Sequence, residues 1–162
     1  MHWRLPRGGK LWEEHKGKRN RRALERLIES GEQLGCLAFD GDEPIGWVSV
    51  GPRAGYVRMD NSRVFRTPLD EGAWSVPCFF LRRDRRRRGV SRLLLRGAVE
   101  LARSRGATHL LAYPSSEREP GRDVPAVFAF TGLRSTFERE GFRDATPDGA
   151  QRAVLVRRFR RR

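Results

Sequence analysis

A chain of 162 residues is the size of one domain and can bury about two-thirds of its unfolded surface in a single core, with no need of a disulfide or structural metal. Its formal charge is +14, and the positive residues are almost all Arg, with Lys only at Lys10, Lys16 and Lys18. Such an excess is read in two ways, as the codon economy of a GC-rich genome or as a field that draws in anions, and composition does not choose between coenzyme, nucleic acid and acidic protein. No apolar run approaches the length that spans a bilayer, and Met1-His2-Trp3-Arg4 lacks the hydrophobic region of a signal peptide, so the expectation is a soluble, cytoplasmic protein with no membrane partner. Cys36 and Cys78 stand in separate strand-like runs without metal spacing, which fits buried thiols in a reducing compartment and predicts no metal site.

In chain order, His2 to Leu5 is a scrap of strand closed by Pro6 and Gly8-Gly9. Leu11 to Ser30 is helical, with Leu24, Leu27 and Ile28 on one apolar face that covers a sheet, and Gly31 stops it. Gln33 to Phe39 and Pro44 to Gly51 read as two strands joined by the tight turn Asp40-Gly41-Asp42-Glu43, with Trp47 in the core. No period holds from Pro52 to Gly72, and so long an irregular stretch in a compact domain suggests a binding loop, with Tyr56 and Phe65 as wall residues. Ala73 to Leu81 is a central strand, apolar on both faces.

After this strand comes the basic loop Arg82 to Gly89, and then a helix from Val90 to Arg105 with Leu94, Ala98 and Leu101 as its stripe and Gly106 as its stop. Ala107 to Tyr113 is a further strand in a crossover arrangement, and Pro114 to Pro125 is a second loop. Thr131 caps a short helix, Gly132 to Glu140, and Phe142 to Ala145 with Gln151 to Phe159 form the last strand pair.

The junction of loop and helix carries the chemistry. A helix start has unpaired N–H groups and partial positive charge, so it is a poor place for arginines unless an anion sits there too. Like charges about 4 Å apart repel by roughly 1 kcal/mol even in water. Arg85, Arg86, Arg87 and Arg88 with the amides around Gly89 are therefore read as facing a polyphosphate, Gly89 letting the backbone approach closely. No Gly-Lys-Ser or Gly-Lys-Thr follows and the second and third glycines of a dinucleotide loop are missing, so neither of those phosphate loops fits.

Arg86-x-x-Gly89-x-Ser91, between an apolar strand and an amphipathic helix, resembles the acyl-CoA pyrophosphate loop of the GNAT acetyltransferase superfamily, Arg/Gln-x-x-Gly-x-Gly/Ala. Phe137-Glu138-Arg139-Glu140-Gly141-Phe142 is similar to that family's Tyr-Glu-x-x-Gly-Phe signature, one strand downstream. The matched elements span roughly residues 33–159. The resemblance implies an α/β fold, a central, strongly bent mixed sheet flanked by helices, in one GNAT-like domain over 1–162 whose first strand is short or truncated. It implies acetyl-CoA as cosubstrate, its pyrophosphate at Arg86, Arg87, Arg88, Gly89, Val90 and Ser91, its pantetheine arm bonded to the backbone of Phe79 and Leu81, and further cofactor contacts at Ser135 and Phe137. It implies acetyl transfer to a primary amine by direct attack, without a Ser or Cys nucleophile.

In the family a Tyr at the first signature position commonly protonates the departing thiolate, and here that position is Phe137. Tyr113, with Ser135 and Thr136 nearby in sequence, are the substitutes, and Asp70 or Glu71 just before the central strand is the nearest carboxylate to serve as base. Tyr113 and Glu71 are the catalytic candidates. His109 reads as a packed histidine. Two other readings stand behind the enzyme: a nucleic-acid-binding module using Arg82 to Arg88 and the basic tail, and an acyl-CoA-binding sensor that has lost catalysis. The acceptor amine is not identified, and a homodimer is left open by the sequence.

Overall fold

The computed structural model describes residues 3–4, 13–14, 17–60, 65, 71–115 and 129–159. Six strands form one mixed sheet in the order β1-β2-β3-β4-β6-β5: β1 Gly35–Asp40, β2 Glu43–Pro52, β3 Ala73–Leu81, β4 His109–Ala112, β5 Arg143–Asp144 and β6 Leu155–Arg158. β3 and β4 are parallel, and every other neighbouring pair is antiparallel. The helices are α1 Lys18–Glu29, α2 Val57–Asp60, α3 Val90–Ser104 and α4 Arg134–Arg139, with 3₁₀ turns at Arg53–Gly55, Arg83–Arg85 and Ala129–Thr131.

Alternation along the strands makes two apolar layers. Leu110 and Ala112 of β4 point to the face where α3 lies, with Val48, Val76, Phe79, Phe137, Phe142 and Leu155. Leu111 and Tyr113 point to the other face, packed with Trp3, Tyr56, Met59, Phe65 and Val156. α3 forms because Val90, Leu94, Leu95, Ala98, Val99 and Ala102 recur at helical spacing and are all buried against the sheet. At roughly 1.5–3 kcal/mol for each fully buried aliphatic side chain, this stripe outweighs the cost of a helix start whose cap residue supplies no side-chain bond.

The central strand and the helix after it fall where the sequence places them, whereas four other expectations change. Trp3 and Arg4 lie in a turn and Trp3 joins the second apolar layer, while His2 and Leu5 fall outside the described residues. α1 buries none of its described residues, and Ile28, expected on a covering face, is 59% exposed. Trp47 is half-buried. Thr131 does not cap α4: it ends a 3₁₀ turn, and α4 begins three residues later with Leu133 as its uncapped N-terminal neighbour. The reason is a competing bond, for the Thr131 hydroxyl pairs with Ser115 Oγ at 2.9 Å.

Candidate active site

The loop after β3 divides its arginines into two groups. Arg82 pairs with Glu43 and, at 2.9 Å, with Asp84; Arg85 pairs with Asp40 at 2.6 Å. These bonds tie the 3₁₀ turn to the β1–β2 hairpin. Arg85, expected on the anion, is turned away from it, because two carboxylates of the hairpin stand closer. The hydrogen bonds of Arg82, together with its charge, hold the Asp84 carboxyl below the usual carboxylate range.

Arg86, Arg87 and Arg88 remain exposed. Arg87 has φ 62° and Gly89 φ 78°, two left-handed residues in a span of three, a backbone form that turns successive N–H groups into one concavity. A non-glycine residue at positive φ is uncommon, and its place here beside a helix start marks the loop as a shaped element. The amides of Arg88, Gly89, Val90 and Ser91 have no acceptor among the described residues, and the first turn of α3 carries no acid. A Cβ at Gly89 would meet nothing within 4 Å, so it is the backbone turn, with open space above it, that calls for glycine. Val90 below is buried in the core and fixes this end of the helix. The cradle therefore fits a pyrophosphate: four free donors and a helix dipole lie beside three exposed arginines, and the first turn of α3 carries no acid.

Beside the cradle, β3 loses its partner on one side. The parallel pairing with β4 ends at Val76↔Ala112, while β3 continues to Leu81. Arg82 N–H bonds Ile45 O on the β2 side at 3.0 Å, and Phe80 O faces Gly46 of β2. Alternation then turns the N–H and C=O groups of Phe79 and Leu81 away from β2, into the gap that β4 leaves. Arg86 Nε donates to Leu81 O at 3.4 Å, which agrees with that direction. Pro77, which has no N–H, stands at the first unpaired position. The 3₁₀ turn Ala129–Thr131 packs against β3 in this region.

Phe137 lies on the α3 side, fully buried, edge-on to Phe79 at 5.9 Å and to Phe142 at 5.2 Å. Its ring rests on Gly132, where an added Cβ would lie 2.6 Å from Cε2, so the φ 88° glycine leaves the room that the ring fills. Ser135 is half-buried in the first turn of α4. α4 is held to α3 by Glu140, which is 9% exposed and accepts from Arg92 and, at 3.0 Å, from Arg96, while its carbonyl accepts from Arg157 at 2.6 Å. Burial opposes the charge of Glu140, but the two guanidinium groups prevail and hold its carboxyl below the ordinary value.

On the opposite face, at the point where β3 and β4 part, a polar cluster forms in which sequence reading finds Tyr113 and misses Arg152. Tyr113, one residue past the last rung, is fully buried; its hydroxyl pairs with Ser75 Oγ at 3.3 Å and its ring is edge-on to Phe65 at 5.2 Å. Arg152, from the segment between β5 and β6, donates to Tyr113 O at 3.1 Å and to Thr131 Oγ1 at 2.6 Å, and its guanidinium lies 5.3 Å from the centre of the Phe65 ring. Burial lowers the pKa of Arg152. No spacing separates Arg152 from the chain's many other arginines, so only the fold brings it here.

Tyr56 and Phe65, expected as walls, are in this same aromatic layer, at 1% and 8% exposure. Burial pushes the Tyr56 phenol up to about 12 despite a 3.1 Å bond to Ser49 Oγ. Glu71 is exposed in the turn before β3. At about 3.3 Å per residue it stands roughly 20 Å along the strand from Pro77, and the structure does not bring it together with the gap. Asp70 lies outside the described residues. His109 is buried at the same far end of the sheet, its Nδ1 2.8 Å from Thr108 Oγ1. Burial raises the Cys78 thiol to about 11, which leaves it protonated and a poor nucleophile at neutral pH. No group of metal-binding side chains occurs among the described residues, and no helix there is long and apolar enough to cross a membrane.

No curated protein matches this chain by sequence. Solved structures do match its fold. A PaiA N-acetyltransferase from Thermoplasma acidophilum, in complex with coenzyme A, aligns with a TM-score of 0.56 at 12% identity over 94% of this chain and 81% of its own. A ribosomal-protein-alanine N-acetyltransferase from Brucella melitensis aligns at 0.54 and 16% identity over 86% and 76%. A GNAT-family acetyltransferase from Desulfovibrio desulfuricans aligns at 0.54 and 20% identity over 85% and 77%. The profile of the Acetyltransferase (GNAT) family matches residues 2–123, a span that holds both the cradle and the gap. The chain belongs to the GNAT acetyltransferase family, with that family's mixed-sheet fold.

Proposed function

We propose that this protein transfers the acetyl group of acetyl-CoA to a primary amine by direct attack, within one domain spanning residues 1–162 and in the cytoplasm. The observation that carries the reading is the cradle at the start of α3, where the donors of Arg88, Gly89, Val90 and Ser91 stand free next to the unpaired edge of β3. The family uses acetyl-CoA, and this chain's residues suit it. Arg86, Arg87 and Arg88 with the α3 amides hold the pyrophosphate, and the backbone of Phe79 and Leu81 holds the pantetheine arm. When bound, the thioester supplies an acyl carbon activated for attack by an amine.

The chain's own groups then have three tasks. Taking Leu81 O for the ligand releases the Arg86 side chain, whose present bond of 3.4 Å is weak. An unpaired N–H of β3 at Phe79 is placed to donate to the developing oxyanion. Tyr113 is the phenol at the parting of the strands, and with Ser75 it offers a proton path to the departing thiolate in place of the missing phenol at Phe137. Ser135 and Phe137 complete the wall on the α3 side. The half-buried Cys78, its thiol pKa raised by desolvation, supports a route without a covalent enzyme intermediate.

A nucleic-acid module is the weaker reading, because Arg82 and Arg85 are neutralised by Asp40, Glu43 and Asp84 and do not extend a phosphate-binding stripe. The test is release of free thiol from acetyl-CoA in the presence of a panel of primary amines, with the acetylated amine identified by mass. Turnover that depends on the amine supports the reading. Binding of acetyl-CoA with no turnover on any amine favours the catalytically silent sensor instead.

A further inference from the structure

We propose that the acceptor is an amine that also carries a carboxylate, with α-amino acids as its simplest members, and that Arg152 holds that carboxylate at the parting of β3 and β4. This rests on the acetyl-transfer reading and names the substrate class of the same site.

Several other arginines of this chain are held by carboxylates. Arg82 and Arg85 are given Asp40, Glu43 and Asp84; Arg92 and Arg96 are given Glu140; Arg134 is given Glu138 and Asp144. Arg152 is half-buried, yet among the described residues it has no carboxylate. Its two bonds go to neutral oxygens, Tyr113 O and Thr131 Oγ1. A guanidinium has five N–H donors in a fixed fork, and these two bonds leave donors on the fork for a planar carboxylate. A partly buried cation with no counter-ion is costly to keep, and an anion that arrives with a ligand compensates it.

Its surroundings fit the same ligand. Arg152 lies over Phe65, which is edge-on to both Tyr113 and Trp3, and Phe130, 41% exposed, stacks on Trp3 at 6.3 Å. Two more guanidinium groups, Arg58 over Trp3 and Arg4 over Tyr56, flank this layer. The wall is aromatic and cationic, with no acid among these residues. Such a wall repels a polyamine and accepts a zwitterion whose carboxylate reaches the guanidinium. Arg152 is bonded to the main-chain carbonyl of Tyr113, the residue that carries the proposed proton donor, so an anion seated there lies at the end of β4, where the strands part.

The test compares a panel of common α-amino acids with their carboxamides as acceptors, together with direct calorimetric binding of N-acetyl-L-leucine and N-acetyl-L-leucinamide to the protein without acetyl-CoA. The acids are expected to exceed the amides by about tenfold to a hundredfold in kcat/KM, the range of a hydrogen bond to a charged group, mainly through KM. N-acetyl-L-leucine should bind and its amide should not. Arg152→Met should abolish both differences, and Arg152→Lys should restore part of them, since it keeps the charge and loses the fork. Equal or better use of the amides by the wild-type protein overturns the proposal without reference to any variant. So does a preference that survives in a folded Arg152→Met protein. Failure of the transfer reading shows separately, as no release of thiol from acetyl-CoA with any acceptor, while the calorimetric arm still reports on the carboxylate site.

Discussion

At the start of α3 and at the end of β4 the protein presents positive charge to a ligand in opposite ways. The α3 end uses backbone: left-handed Arg87 and Gly89, four free amides and a helix dipole, with exposed arginines around them. The β4 end uses one long side chain, Arg152, brought from the segment before the neighbouring strand β6 and fixed by a carbonyl and a hydroxyl. A backbone site needs a glycine at one position and a strand and helix on either side, all consecutive in sequence. A side-chain site needs only that the fold deliver it, and leaves no local trace.

The largest expected effect falls on the apolar layer on the α3 side of the sheet. Phe137→Ala removes a fully buried ring that packs on Phe79, Phe142 and Gly132, and should cost roughly 3–5 kcal/mol in urea unfolding, with the fold of the cradle weakened along with the rest. A loss below about 1 kcal/mol would mean that this ring is not the support described.

Next comes the clamp between α3 and α4. Glu140→Gln should destabilise by about 1–2 kcal/mol, less than a fully buried pair because Arg92 and Arg96 are half exposed and stay solvated. Its pH dependence follows from the sign of the shift. The folded Glu140 carboxyl lies below its ordinary 4.5, so its contribution is complete above that value and lost as pH falls through the folded pKa. Asp144, bonded to Thr146 and Arg134 and lowered from 3.8 to about 2, acts in the same direction. Wild-type stability should therefore fall between about pH 4.5 and 2, and Glu140→Gln should flatten the upper part of that fall. An unchanged acid limb would contradict the clamp.

The smallest effects separate the two groups of loop arginines. Arg85→Ala should cost at most about 1 kcal/mol of stability, through its pairs with Asp40 and Glu43, and change acetyl-CoA affinity little. Arg88→Ala should leave stability nearly unchanged and weaken acetyl-CoA several-fold, with the difference shrinking as salt is raised. The reverse pattern would exchange their assigned roles.

The same contrast explains what the sequence could disclose. Ala73–Leu81 and the helix from Val90 are legible because apolar periodicity and a single glycine fix them locally. The outward groups of Phe79 and Leu81 follow from position in a strand once its pairing is known. Thr131 looked like a helix cap because a threonine before a short polar segment commonly is one, yet its hydroxyl bonds Ser115, sixteen residues earlier in the chain. Arg85 reads like its three neighbours until the hairpin that carries Asp40 and Glu43 folds beside it. Glu71 was close to β3 in sequence, but it stands at the wrong end of an extended strand to reach the gap. Arg152 and Thr131 meet across 21 positions, and no periodicity records that.

The most direct test of the central claim is thermal unfolding at moderate salt with and without acetyl-CoA, for the wild-type protein and for Gly89→Glu. A ligand at a hundred times its Kd stabilises a fold by about 2.7 kcal/mol. The account predicts a clear upward shift for the wild type and none for Gly89→Glu, whose side chain places a carboxylate at the cradle. A wild-type protein that unfolds cooperatively at the same temperature with and without acetyl-CoA would contradict it.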